Sequence, residues 1–145
     1  MKNKLALLFL AVTVSFAACY DSETEILKQA RTTQQGVLSK KQALLTDLEN
    51  QLKTAEQEIS QLSQTQLDST GAARINELSD LTTLIRDLKD QVENWGLNLD
   101  IIPEAGEIHN DPKFKDKKDE DVLHMAKEQD SLFNNLKSEI ESQLL

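Results

Sequence analysis

Residues 60–78 read SQLSQTQLDSTGAARINEL, and the fold depends on whether one helix passes through them or two helices meet there. Before this stretch Leu38, Leu45, Leu48, Leu52, Ala55, Ile59 and Leu62 keep a heptad seam of alternating three and four spacing, with Lys41 and Gln66 filling seam positions at either end. After it Leu78, Leu81, Ile85, Leu88, Val92, Trp95 and Leu99 keep a second seam. Continued from Gln66, the first seam places its equivalent position one heptad on at 73, five short of Leu78, and coiled coils absorb such a shift poorly. Asp68, Ser69, Thr70 and Gly71 supply turn and cap chemistry at the break. Folding the chain back about residue 70 pairs seam positions whose numbers sum to about 140: Leu62 with Leu78, Ala55 with Ile85, Leu48 with Val92, Leu45 with Trp95. Any two heptads placed symmetrically share part of that agreement. The phase break is what carries the expectation of an antiparallel helical hairpin over residues 38–99.

Working outward, residues 119–145 predict a third helix, because Val122, Met125, Ala126, Leu132, Phe133, Leu136, Ile140 and Leu144 share one wide helical face. Asp119, Glu120 and Asp121 stand in its first turn, where the helix dipole favours acid. The expected fold is all-α: an antiparallel coiled-coil-like hairpin plus a C-terminal helix, together a three-helix bundle. Both prolines lie in the connection DIIPEAGEIHNDPKFKDKK, residues 100–118. Extended, that segment reaches roughly 60 Å, so the third helix can run in either direction. On length alone the loop is the leading candidate for partner binding, through Ile101, Ile102, Ile108 and Phe114, although these residues could equally pack back on the bundle. Residues 19–37 read as a partly helical stalk, since TTQQG at 32–36 lowers helix propensity while Arg31 and Gln34 fall on the extrapolated seam. Val37, Leu44, Leu97, Ile101 and Ile102 add apolar surface at the open end of the hairpin. Toward the turn Gln51, Gln57, Glu58 and Gln61 flank the seam, so either the third helix or another chain must cover that part.

Composition narrows the function. With 16 Lys and Arg against 25 Asp and Glu the net charge is -9, which argues against a broad electrostatic grip on nucleic acid. The one cysteine cannot form an internal disulfide, and with two histidines it falls short of a structural zinc set. His109 near Asp111, and His124 four residues before Glu128, are pairs that acidic helical proteins offer often. No nucleophile-elbow context and no glycine-rich phosphate loop is present, so the sequence assigns no catalytic residue, no metal site and no cofactor. Trp95 keeps the heptad phase and is expected in the core.

The chain opens MKNKLALLFLAVTVSFAAC: Lys2 and Lys4, an apolar segment from Leu5 to Ala18, then Cys19. At 14 residues the apolar run is shorter than the roughly 20 that a spanning helix needs, and its order is that of a secretory signal. Phe16, Ala17, Ala18 and Cys19 resemble the lipobox of bacterial lipoproteins, with Phe16 in place of the usual Leu. The resemblance covers about the first 20 residues. It implies removal of residues 1–18, lipidation of Cys19, and a membrane partner reached through that lipid. The remaining chain would carry 14 basic and 25 acidic residues, a net -11. Tyr20, rather than Asp, directly after the cysteine favours the outer membrane over the inner by the same resemblance. Together these readings lead to an envelope lipoprotein acting as a protein-binding scaffold, adaptor or accessory subunit, with room for a homo-oligomer. A surface-displayed ligand-binding or adhesive lipoprotein is the alternative.

Overall fold

In a computed structural model the protein is described over residues 23–64 and 69–145, which form three helices and no strand. Cys19, Tyr20, the preceding signal-like segment and Asp68 of the expected turn lie outside the described residues. Helix α1 runs Glu25–Ser63, α2 runs Ser69–Leu97 and α3 runs Asp119–Gln143. The fold is an all-α three-helix bundle, but its helices are staggered, and the stagger creates three tiers.

Helices α1 and α2 form the antiparallel hairpin. Arg86 pairs with Glu56 at 2.7 Å and Lys89 with Glu49 at 3.1 Å, positions that again sum to about 140. Leu78, Ile85, Leu88 and Val92 are buried along the seam. Helix α3 runs parallel to α1. Its contacts keep a nearly constant offset: Thr24 to Asp119, Gln34 to Gln129, Lys40 to Asn134. The direction that the sequence left open is thereby settled, and so is the purpose of the long connection. Helix α2 ends opposite about residue 43 of α1, whereas α3 must begin opposite Thr24, so the chain has to descend along α1 before it can turn upward.

The middle tier holds Val37, Leu44, Leu48, Ile85, Leu88, Val92, Phe133 and Ile140, contributed by all three helices. Trp95 packs on its edge, with its ring 5.0 Å from that of Phe133. The base tier holds Leu27, Ala30, Ile102, Ile108, Phe114, Val122 and Ala126, contributed by α1, α3 and the connection. Above residue 48, where α3 ends by the same offset, α1 and α2 alone continue among the described residues, and this is the tip.

Residues 25–37 are therefore not a stalk but the first turns of α1. Thr24 caps the helix, its hydroxyl accepting from the Leu27 amide at 3.2 Å. Gly36 costs about 1 kcal/mol of propensity, yet Leu27, Ala30, Gln34 and Val37 form a buried stripe whose packing outweighs it. That stripe belongs to a second seam on α1, rotated from the first and facing α3 and the connection.

Candidate functional site

Three of the four loop residues proposed for partner binding turn inward, although most of the connection lies on the surface. Ile102 and Ile108 are 6% exposed and Phe114 2%, while Ile101, at 52%, is the one of the four that faces water. The physical reason is the stagger: below the end of α2, among the described residues, α3 and the connection cover Leu27 and Ala30, so Ile102, Ile108 and Phe114 turn inward. Successive turns satisfy its backbone, with the Glu107 amide donating to the Glu104 carbonyl at 3.1 Å and the Phe114 amide to the Asp111 carbonyl at 3.0 Å. Gly106, at φ 84°, takes the left-handed conformation that one of these turns requires.

A polar clasp fastens the connection to both neighbouring helices. The Gln34 side-chain amide donates to Gln129 Oε1 at 2.7 Å and to the Asp100 carbonyl at 2.8 Å, and Gln34 Oε1 accepts from the Ile102 amide at 2.8 Å. Gln129 donates to the same Asp100 carbonyl at 3.2 Å. Two glutamines buried in this way are tolerated because their polar atoms find partners, and the arrangement fixes the axial register of α1 against α3. Lys113 adds an exposed bridge to Asp100 at 2.5 Å, and that hydrogen bond raises its pKa. A raised lysine pKa stabilises the pair fully below the ordinary value of 10.5, and the contribution fades as pH climbs through the folded value.

Beside the clasp, at the foot of α1, a recessed pocket of about 180 Å³ opens between the start of that helix and residues 102–109. Leu27, Ile102 and Ile108 form its apolar lining, while Arg31, Glu104 and Asp119 are among its polar groups. Arg31 is paired with Glu23 and donates to the Pro103 carbonyl at 3.3 Å. The Thr24 hydroxyl donates to Asp119 Oδ2 at 2.5 Å. His109 also lines this pocket, away from His124, which faces Glu128 at 3.5 Å on the exposed side of α3. Among the described residues no group of three His, Cys, Asp or Glu could hold a metal ion.

At the opposite end the hairpin presents a shallow groove of about 340 Å³ between α1 and α2. Ala55 and Leu78 line it, with Gln51, Thr54, Arg74 and Leu81. Ala55 stands one heptad above Leu48, whose surroundings include Phe133 and Ile140 of α3, so the groove continues the path that α3 occupies lower down. Arg74 bridges it, 2.9 Å from Glu58 across the hairpin and 3.3 Å from Glu77, and these hydrogen bonds, that to Glu58 foremost, raise its pKa. Of the 18 residues between Glu58 and Glu77, only Asp68 and Arg74 are charged, in a chain with 28% charged residues. The tip thus offers amides, hydroxyls and half-buried Ile59 and Ile75 where most of the surface offers acid.

The sequence marked the tip through the glutamines beside the seam. It missed the base pocket, for which the one available signal was the second seam, Leu27, Ala30, Gln34 and Val37. No protein-family model, curated protein or solved structure matches the chain.

Proposed function

We propose that the protein is a lipid-anchored component of a bacterial envelope, held through Cys19 and preferring the outer membrane, whose helical body serves as a protein-binding scaffold, adaptor or accessory subunit. The anchor rests on the order of Lys2, Lys4, the apolar run and Phe16-Ala17-Ala18-Cys19. The binding role rests on one observation: α3 stops opposite residue 48, and the groove it fills continues upward along Gln51, Ala55 and Leu78 with no third helix among the described residues. A helix of a partner protein, laid in line with α3, would complete the bundle there. Because α1 begins six residues after Cys19 and has 39 residues, at 1.5 Å each it would hold that groove on the order of 50 Å from the lipid.

The test places a photo-crosslinking amino acid in living cells, at Thr54 in the groove or at Glu128 on the exposed side of α3. A discrete adduct from Thr54 that disappears with Cys19→Ser supports the reading. Adducts from Glu128 alone, or Thr54 adducts indifferent to Cys19, oppose it. Metabolic labelling with an acyl analogue checks the anchor separately, since Cys19→Ser should abolish the label. The pocket at the base favours the second reading, a surface-displayed ligand-binding lipoprotein. Trypsin digestion of the protein on intact cells would favour display, and protection until the envelope is broken would favour the adaptor.

A further inference from the structure

We infer that the base pocket is a binding site for a small aliphatic ammonium compound, a cation carried on a short hydrocarbon stem. Size sets the first limit. An apolar cavity of about 150 Å³ admits a benzene ring, so 180 Å³ accommodates a ligand of similar bulk, such as a pentyl chain with one terminal polar group. The apolar lining of Leu27, Ile102 and Ile108 suits the stem, since all three side chains are otherwise shut away from water.

Charge sets the second limit. Glu23, Glu104 and Asp119 line the pocket with Arg31 and, counted as neutral, His109, and the pairing of Arg31 with Glu23 cancels two of the four charges. Glu104 and Asp119 remain, a surplus of two negative charges. Two helices start beside the pocket, but their positive ends do not make it an anion site. Thr24 caps α1, and Asp119, Glu120 and Asp121 occupy the first turn of α3. An incoming carboxylate or phosphate would meet the uncompensated Glu104 and Asp119, with the one arginine of the lining already paired. An ammonium group can lie against Glu104 and Asp119 while its stem covers the apolar lining.

This inference is independent of the tip. The full chain bearing Cys19→Ser, in mild detergent, is titrated with n-pentylammonium while backbone amide shifts are followed by NMR. A dissociation constant of about 1 mM or tighter is expected for a ligand of this size, with shifts concentrated in residues 23–31 and 102–109. Neutral 1-pentanol and anionic pentanoate, which keep the stem, should bind at least about tenfold more weakly. The double variant Glu104→Gln, Asp119→Asn keeps an acceptor for Thr24 and should erase the preference for the cation over the alcohol. Equal binding of alcohol and amine, non-saturating shifts scattered over the acidic surface, or an unchanged preference in the double variant would each overturn the assignment. So would a lysine peptide that binds while the free amine does not, since the site would then be a protein contact.

Discussion

The base and the tip are built on the same helix and solve the same problem in opposite ways. Each half of α1 has an apolar stripe that one partner helix cannot cover. At the base the partner helix is α3, and the descending connection closes the remaining side with Ile102, Ile108 and Phe114. At the tip α2 is the one partner among the described residues, and the uncovered side is lined by Gln51, Thr54 and the Arg74–Glu58 bridge. The base uses large apolar residues and a hydrogen-bonded clasp. The tip uses small and polar residues that tolerate water. Cooperative stability should therefore reside in the lower two tiers, and local opening in the upper one.

The comparison can be broken at its strongest point first. Phe133 is fully buried where all three helices meet, and Phe133→Ala should cost about 3–5 kcal/mol in denaturant unfolding. A loss below about 1 kcal/mol would mean that α3 is not integral to the bundle. Leu78→Ala, at the tip, should cost about 2 kcal/mol, near the low end for a buried leucine because the site opens on a groove. Hydrogen exchange should report that loss mainly in residues 52–81. Protection falling equally in residues 25–37 would show the two ends to be one cooperative unit.

Gln34→Ala should cost about 1–3 kcal/mol by orphaning the Ile102 amide, and should speed exchange at that amide. Unchanged exchange there would remove the clasp from the account of how the base is held. Smallest of all, Gly36→Ala should stabilise the protein by about 0.5–1 kcal/mol, since an added methyl meets nothing within 4 Å and the helix gains propensity. Destabilisation would indicate that α1 bends at that position.

The hairpin was legible because its signal is local: two seams and a phase break lie in one continuous stretch, and the reversal follows from their arithmetic. The direction of α3 was not legible, since a 19-residue connection reaches either end and only contacts such as Gln34 with Gln129 decide between them. The stalk reading failed at residues 25–37 because Gly36 and two threonines lower propensity, while the burial that overrides them comes from residues more than 60 positions away. The inward turn of Ile102, Ile108 and Phe114 was left open for a related reason. An apolar loop residue looks the same in sequence whether it awaits a partner or fills a gap left by a helix that ends early.

The length of α1 has a mechanical meaning. A force applied between the N-terminal end and the tip would act on two points of one continuous helix, with α2 and α3 lying alongside as splints. Such a load need not shear helix from helix; it stretches α1 along its own hydrogen bonds, which the helices packed beside it help to hold. Tension would thus pass through a single unbroken member, and its first yielding point should be the upper third, where α3 has ended, whereas below the end of α2 the connection packs in the missing helix's place.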